Sequence, residues 1–340
     1  MTPSAELAAT AQALMARGKG LLAADESFPT IARRFKALGI PSTEETRGAY
    51  REMLLTTPGL GDFISGVILF DETIRQRFGG LTARETLARQ GIIPGIKVDF
   101  GTVALPGFPG EKITQGLDGL RERLAEYRNL GARFTKWRAV VAIGEGRPSH
   151  PALAANARSL ALFAALSQEA GLVPIVEPEV LMDGDHLLAR CEEVTGATLE
   201  HVFDTLREHR VLLSGMLLKT GMVLPGEASA QEVSLAEVAT ATVRCLRRSV
   251  PTEVAGVVFL SGGQSGDIAT ARLDAICRQG PVPWRMSFSF GRALQDEAMK
   301  TWHGSSAHAT AAQAALLHRA RCNGLAVQGK YSAEAESATP

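Results

Sequence analysis

The sequence is poor in cysteine, and its charges balance. Its four cysteines are scattered along the 340 residues and form no CxxC pair, which favours free thiols in a reducing cytoplasm over a disulfide framework. Lysine and arginine number 36, as do aspartate and glutamate, so the formal net charge is zero. This balance argues against a nucleic acid or a membrane surface as partner, since both usually select a basic excess.

Three further patterns are missing. No apolar run approaches the roughly 18 residues that a membrane-spanning helix needs. The start, MTPSAELAATAQALMARGKG, lacks an apolar block with a cleavage site and is typical of an amphipathic helix, not of a secretory signal. The seven histidines show neither HxH nor HExxH spacing, so the sequence offers no case for a bound metal. We therefore expect a cytoplasmic globular protein.

Eight short apolar segments recur along the chain, and longer stretches with helical spacing lie between them. The segments are GLLAADES, ISGVILF, IPGIKVD, FTKWRAVVAI, VPIVEPEV, SGMLLKTGMV, AGVVFLSGG and WRMSFSFG. Apolar runs of this length, bounded by turn residues, indicate strands buried on both faces. QGLDGLRERLAEYRNLG and LAEVATATVRCLRRSV are two of the helical stretches.

This alternation predicts an α/β fold, a single (β/α)8 TIM barrel that spans residues 1–340. A small, polar tail from about 332 to 340 is expected to be mobile. An open doubly wound sheet is the alternative, but it would normally show a GxGxxG turn after the first strand, and that turn is missing from the sequence.

Charged residues gather near the ends of the apolar segments. The pairs two residues apart are Lys97 with Asp99, Lys136 with Arg138, and Glu177 with Glu179. Residues two apart share one face of a strand, so each pair can point into the barrel near its C-terminal mouth, where active sites lie. A buried ion-pair network that only satisfies itself is the alternative. Imperfectly paired buried charges cost several kcal/mol each, so their number favours a catalytic or binding mouth.

Lys219 stands in an apolar run, GMLLKTGMV, residues 215–223. Such a lysine can simply extend its amine to water. Burial and a second ammonium, predicted to be that of Lys136, would instead favour the neutral amine. A neutral amine can form a Schiff base with a carbonyl. Glu177 is the predicted carboxylate for the accompanying proton transfers.

The glycine-rich stretch LSGGQSGD follows the seventh apolar segment. Consecutive N–H groups in such a turn form an anion-binding nest, and Arg292, in SFGRAL, can add a guanidinium. Barrel enzymes often bind phosphate in the loops after strands seven and eight. Two ordinary glycine turns are the alternative.

Taken in order, these motifs resemble those of class I fructose-1,6-bisphosphate aldolases, from about residue 18 to residue 331. The motifs are LLAADES, SGVILF, GIKVD, TQGLDGL, KWR, VPIVEPE, LLK, FLSGGQS, SFSFGRALQ and QGKY. The resemblance implies reversible cleavage of fructose 1,6-bisphosphate to dihydroxyacetone phosphate and glyceraldehyde 3-phosphate through a lysine Schiff base. It implies no metal and no other cofactor, a phosphorylated sugar as the partner, and a homo-oligomer, commonly a tetramer. A related Schiff-base aldolase that prefers fructose 1-phosphate or sedoheptulose 1,7-bisphosphate is the alternative.

The resemblance also implies residue roles. Lys219 matches the Schiff-base lysine, Glu177 the acid/base carboxylate, Lys136 the neighbouring ammonium, and Asp25 the carboxylate at the cleaved bond. The residues assigned to substrate binding are Arg34, Ser27, Lys97, Arg138, Glu179, Ser261, Gly262, Gly263, Ser289, Gly291 and Arg292.

The chain departs from the family pattern at a few positions. Animal members have a longer tail that ends in a tyrosine assisting proton transfer, whereas the last tyrosine here is Tyr331. Phe100 follows KVD where a lysine is common, and Phe290 replaces a frequent tyrosine. None of these changes removes a proposed catalytic group. A binding or scaffold protein built on the same barrel is a third hypothesis, and the four intact catalytic positions argue against it.

Overall fold

Strands and helices alternate along the chain in the computed structural model, which describes residues 2–338. The strands within these residues are β1 (Gly20–Ala24), β2 (Ile64–Leu69), β3 (Arg77–Phe78), β4 (Leu81–Thr82), β5 (Ile93–Lys97), β6 (Thr102–Ala104), β7 (Lys112–Thr114), β8 (Phe134–Val141), β9 (Val173–Val180), β10 (Leu217–Thr220), β11 (Gly256–Phe259) and β12 (Arg285–Phe290). The α-helices are α1 (Pro3–Leu14), α2 (Phe28–Lys36), α3 (Glu44–Leu55), α4 (Asp71–Arg75), α5 (Ala83–Ala88), α6 (Leu120–Asn129), α7 (His150–Glu169), α8 (Leu188–Glu208), α9 (Leu235–Ser249), α10 (Gly266–Cys277), α11 (Arg292–Trp302), α12 (Ala309–Ala326) and α13 (Ala333–Ser337). Short 3-10 helices cover Leu60–Asp62, Leu213–Gly215 and Ser306–His308.

Eight of the strands close into a barrel in the order β1-β12-β11-β10-β9-β8-β5-β2. Every neighbouring pair is parallel, and β1 pairs with both β2 and β12, so the sheet has no free edge. The predicted TIM barrel is confirmed, and each of the eight predicted apolar segments supplies one barrel strand. The pairs β3–β4 and β6–β7 are small antiparallel additions in the connecting segments.

Helix α9 has stabilising groups at both of its ends. In α9, the Ser234 hydroxyl accepts the Glu237 N–H at 3.2 Å, and the Glu237 carboxylate accepts the Ser234 N–H at 2.8 Å. This reciprocal capping satisfies two N–H groups that the first turn leaves free. Arg247 and Arg248 lie in the last turn, where cations complement the helix dipole. Within residues 2–338, no helix combines the length and the apolar character needed to cross a membrane.

The interior of the barrel is apolar at the end where the strands begin, and α1 covers this end. Leu7, Ala11 and Leu14 of α1 pack in one buried cluster with Phe134 from β8. Gly95 on the adjacent strand gives this ring its space, because a Cβ there would lie 2.3 Å from it. Complete burial of each large apolar side chain contributes about 1.5–3 kcal/mol. The polar groups at the opposite end of the barrel therefore lie above a buried apolar layer.

The C-terminal segment folds back against the outer helices. In α13, the Glu336 carboxylate binds the Arg319 guanidinium, with Nη1 and Oε2 2.8 Å apart. Ser332 caps the N-terminus of this helix by accepting the Ala335 N–H at 3.3 Å. The mobility predicted from about residue 332 stays a prediction, and its residues 339 and 340 lie outside the described residues.

Candidate active site

Each predicted catalytic side chain lies two residues beyond an apolar residue of the barrel interior. The pairs, with the apolar residue first, are Ala23 with Asp25, Phe134 with Lys136, Ile175 with Glu177, and Leu217 with Lys219. Side chains two apart on a strand share a face, so the apolar member fills the interior and the charged member stands above it. The strand period thus brings four charged groups from four strands to the C-terminal mouth.

Lys219 and Lys136 contact the two oxygens of one carboxylate. The Lys219 Nζ lies 3.2 Å from Oε1 of Glu177, and the Lys136 Nζ lies 3.6 Å from Oε2. The three residues are 3–4% exposed. Glu177 is therefore within reach to move a proton to or from a group bound to the Lys219 nitrogen.

Asp25 completes this arrangement on the other side of Lys136. Its Oδ2 lies 2.7 Å from the Lys136 Nζ. Burial alone would raise the pKa of Asp25, but the ammonium groups of Lys136 and Lys219 outweigh burial and lower that pKa to about 2. Burial would lower the pKa of Lys136, yet the surrounding carboxylates, Asp25 foremost, raise it above its usual value. At neutral pH, Asp25 is a carboxylate and Lys136 an ammonium.

Asp99 links Lys97 to the same cluster. Its Oδ1 lies 2.6 Å from the Lys97 Nζ, and its Oδ2 lies 3.9 Å from the Lys136 Nζ. Burial lowers the pKa of Lys97, although Asp99 acts in the opposite direction. Asp99 shares this strand face with Lys97, as its spacing predicts, but no role in the site was predicted for it. The mouth thus holds three lysines and three carboxylates, Asp25, Lys97, Asp99, Lys136, Glu177 and Lys219, and its formal charges balance.

Arg138 and Glu179 form a second ion pair, one step further out on β8 and β9. Each lies two residues beyond a member of the lysine cluster, and the Arg138 side chain is 40% exposed. The guanidinium therefore faces the solvent-accessible side of the mouth.

Arg34 and Ser27 lie beside the mouth at the start of the segment that follows β1. The Arg34 guanidinium binds the Glu26 carboxylate and, at 2.9 Å, Oδ1 of Asp296. The Ser27 hydroxyl lies 3.3 Å from that of Thr30. Across residues 2–338, neither Arg34 nor Ser27 makes a hydrogen bond or ion pair with the lysine cluster.

A buried polar network behind the mouth was missed in the sequence. Glu26 pairs with Arg51 at 2.7 Å, and Arg51 is 3% exposed. Gln295, which is fully buried, donates to the Ala23 carbonyl at 2.6 Å and accepts the Tyr50 hydroxyl at 2.8 Å. These contacts hold the end of β1, and with it Asp25, which follows that strand. The only sequence signal for this network was that Arg51 and Gln295 are polar residues within otherwise apolar or motif-rich stretches.

The glycine-rich loop after β11 has the backbone shape of an anion nest. Gly262 and Gly263 have φ angles of 55° and 89°, a region that favours glycine. Gln264 fixes the turn, since both its backbone N–H, at 3.0 Å, and its side-chain amide, at 2.8 Å, donate to the Ser261 carbonyl. Successive N–H groups in this conformation can bind an anion.

Strand β12 supplies the second half of this pocket. The Ser289 hydroxyl is buried and has no hydrogen-bond partner anywhere in the described part of the chain. Gly291 caps α11, and Arg292 is its first residue, which adds the positive end of a helix. A Cβ placed on Gly263 would lie 3.5 Å from Nη2 of Arg292, so the guanidinium borders the nest. An anion here would satisfy the Ser289 hydroxyl.

Three comparisons with known proteins agree with this geometry. The family model "Glycolytic: Fructose-bisphosphate aldolase class-I" matches residues 6–340. A "Probable fructose-bisphosphate aldolase class 1" from Xanthomonas campestris pv. campestris is 54% identical over 96% of this chain and 98% of its own length. The "Fructose-bisphosphate aldolase" of Dictyostelium discoideum is 50% identical over 97% and 93%. A solved fructose-bisphosphate aldolase from Plasmodium falciparum, in complex with TRAP and a small-molecule inhibitor, superposes with a TM-score of 0.96. It is 48% identical, over 97% of this chain and 96% of that one.

Proposed function

This chain belongs to the family of class I fructose-bisphosphate aldolases, and from that premise we propose that Lys219 is its Schiff-base lysine. The activity of the family is that of a lyase, the reversible cleavage of fructose 1,6-bisphosphate to dihydroxyacetone phosphate and glyceraldehyde 3-phosphate. Class I enzymes use a lysine imine in place of a metal ion. The residue roles below are our assignments to this chain.

The observation that carries the proposal is the shared carboxylate of Glu177, held between the Lys219 and Lys136 amines at 3.2 and 3.6 Å. The Lys219 amine attacks the substrate ketone, and a carbinolamine forms. Glu177 delivers the proton with which the hydroxyl group leaves as water, and a protonated imine remains. Lys136 holds its charge throughout, so it can stabilise the developing alkoxide without giving up its own proton.

Asp25 is placed to act at the bond that breaks. As the carbon–carbon bond cleaves, the hydroxyl on the departing aldehyde loses its proton, and its electrons form the aldehyde carbonyl. The bond's electron pair moves into the iminium and gives an enamine. The Asp25 carboxylate, 2.7 Å from Lys136, is the base assigned to that proton. Protonation and hydrolysis of the enamine release dihydroxyacetone phosphate and regenerate the amine.

The two phosphates of the substrate require two cationic regions. We assign one phosphate to the nest after β11 together with Ser289, Gly291 and Arg292. We assign the other end of the sugar to Ser27, Arg34, Lys97 and Arg138, with Glu179 holding Arg138. Arg34 and Arg138 each form an ion pair with a carboxylate. When phosphate binds, each guanidinium must either leave its carboxylate or contact the carboxylate and the phosphate together.

Trapping the imine tests the central assignment. The protein is mixed with dihydroxyacetone phosphate, reduced with borohydride, digested, and mapped by peptide mass spectrometry. We expect one adduct, on Lys219, and none in Lys219→Met. Lys97→Met, which removes a partly buried lysine of the same mouth, is the matched control and should keep the adduct. An adduct on a different lysine, or its absence from the folded wild type, contradicts the proposal.

Substrate preference within the family is tested by turnover. Two phosphate regions favour a bisphosphate, so fructose 1,6-bisphosphate should be cleaved with a higher kcat/KM than fructose 1-phosphate. Equal values, or a preference for sedoheptulose 1,7-bisphosphate, would support the alternative Schiff-base aldolase.

We also propose, from family membership, that the chain acts in the cytoplasm as a homo-oligomer, with a tetramer as the expected state, and that residues 1–340 form one barrel domain. Light scattering coupled to size-exclusion chromatography measures the mass in solution. A monomer of 36.1 kDa at micromolar concentration would contradict the oligomer.

A further inference from the structure

Three potential metal ligands meet on the outer helices, away from the lysine cluster. His318 and Cys322 are one helical turn apart on α12, with Nε2 and Sγ 3.6 Å from each other. Glu336 comes from α13, and its carboxylate completes a group of donor atoms that all lie within 4.8 Å of one another. Cys322 is fully buried, and the other two are partly buried. The function proposed above uses none of them.

The spacing between sulfur and nitrogen fits a tetrahedral centre. With Zn–S near 2.3 Å and Zn–N near 2.1 Å, two ligands at a tetrahedral angle are about 3.6 Å apart. The Cys322–His318 separation has this value before any adjustment. The carboxylate of Glu336 lies within 4.8 Å of the other two donor atoms, so it must approach by at most about 1 Å to reach a similar spacing. A rotation of its side chain can supply this movement.

From this geometry we propose that His318, Cys322 and Glu336 form a binding site for a divalent zinc ion that fastens the C-terminal helix to the barrel. One thiolate, one imidazole and one carboxylate are a ligand set that zinc accepts, and a water molecule can take the fourth position. The Cys322 thiol releases its proton to solvent as the metal–sulfur bond forms. Thiolate and carboxylate together then balance the charge of the ion.

The surroundings hold the carboxylate in place, as outer-shell groups do in known metal sites. Arg319 contacts both oxygens of Glu336, and the Tyr331 hydroxyl donates to Oε2 at 2.7 Å. A carboxylate oxygen has a second lone pair for a metal when the first accepts a hydrogen bond. Arg319 and Tyr331 therefore orient the Glu336 carboxylate, and the Arg319 guanidinium adds a positive charge that limits the affinity for the metal ion.

The site would act on the C-terminal segment and not on the reaction. Across residues 2–338, no hydrogen bond or ion pair connects His318, Cys322 or Glu336 to the lysine cluster. The sequence-based expectation of no metal site rested on the absence of CxxC, HxH and HExxH spacings, and the set of His318, Cys322 and Glu336 follows none of these patterns.

Cobalt substitution tests the proposal. The full-length protein is stripped with a chelator, dialysed, and titrated with Co²⁺, whose bond to a thiolate gives a charge-transfer absorption. We expect one equivalent to bind and Zn²⁺ to displace it. Cys322→Ser should abolish the band and His318→Ala should weaken Co²⁺ binding at least about tenfold. Cys277→Ser, a part-buried cysteine outside the cluster, is the matched control and should retain wild-type binding.

Hydrogen exchange gives a second measurement that does not depend on any variant folding. Zn²⁺ should slow exchange of the amides in 333–337 in the wild type, and chelation should restore the faster exchange. Glu336→Gln should remove that response. The proposal is overturned by an absent charge-transfer band, by an identical band in Cys322→Ser, or by exchange that Zn²⁺ leaves unchanged. Turnover in the chelated sample tests the Schiff-base mechanism separately, since that mechanism predicts full activity there.

Discussion

Replacing Lys136 with methionine tests the electrostatic basis of imine formation. Lys136 and Lys219 contact different oxygens of Glu177 at 3.6 and 3.2 Å, so the two amines share one carboxylate. The Lys136 ammonium is therefore placed to stabilise the negative oxygen that forms as the Lys219 amine attacks the substrate ketone. Loss of one such preorganised group costs about 3 kcal/mol of transition-state stabilisation. Without the Lys136 ammonium, imine formation should slow by about two orders of magnitude at neutral pH.

The assay follows the imine directly. Wild type and Lys136→Met are mixed with dihydroxyacetone phosphate, reduced with borohydride after set times, and counted by intact-protein mass. The variant should accumulate imine about a hundredfold more slowly than the wild type. Inhibition by inorganic phosphate should change less than about threefold, since the nest after β11 stays intact.

Two controls decide the interpretation. Lys136→Met breaks a buried ion pair, which can cost about 3–5 kcal/mol of stability, so folding must be verified by circular dichroism at the assay temperature. Lys97→Met removes a lysine of the same mouth that has no ion pair with Glu177, and its imine should form within about threefold of the wild-type rate. A folded Lys136→Met that forms imine at the wild-type rate at neutral pH would refute the reasoning, as would an equal loss in Lys97→Met.

Three further predictions concern other parts of the site. The pKa of Asp25 is about 2, below its ordinary 3.8, so its charge stabilises the fold above pH 4 and this contribution, about 2 kcal/mol, is lost as the pH falls toward 2. In urea unfolding, the free energy of unfolding of Asp25→Asn should fall by about 2 kcal/mol less than that of the wild type between pH 4 and pH 2. An equal fall in both proteins would contradict this prediction. Glu26→Gln breaks a buried ion pair and should lower the free energy of unfolding by about 3 kcal/mol. The control is Glu169→Gln, whose side chain is 58% exposed and which should change the free energy of unfolding by less than about 1 kcal/mol. Similar losses of stability in the two variants would contradict the prediction. In steady-state kinetics, Arg292→Met should raise KM for the bisphosphate about tenfold, and Ser289→Ala should raise it less. The kcat of both variants should be nearly unchanged. A decrease in kcat without a change in KM would show that neither residue binds the phosphate.

The barrel was predictable because its strands are buried on both faces. Burial of this kind leaves continuous apolar runs, and eight such runs correspond to the eight strands that close the sheet. The antiparallel pairs β3–β4 and β6–β7 were not predicted. Their strands are two or three residues long and carry several exposed side chains, so they leave neither an apolar run nor an alternation long enough to detect.

The cluster of lysines and carboxylates at the barrel mouth was predictable for a different reason from the contacts around it. A period of two places Lys136 and Glu177 on the inner face whatever the neighbouring strands do, so the sequence alone indicates a charged mouth. The partners of Glu26 and Glu336 follow no local period. Arg51 approaches Glu26 from a separate helix, and Cys322 meets Glu336 only because the C-terminal segment folds back on α12. Contacts of this kind depend on how outer helices pack, and a single sequence carries no periodic signal for them. The charged groups that strands position were therefore foreseen, while those that helix packing positions became visible only in three dimensions.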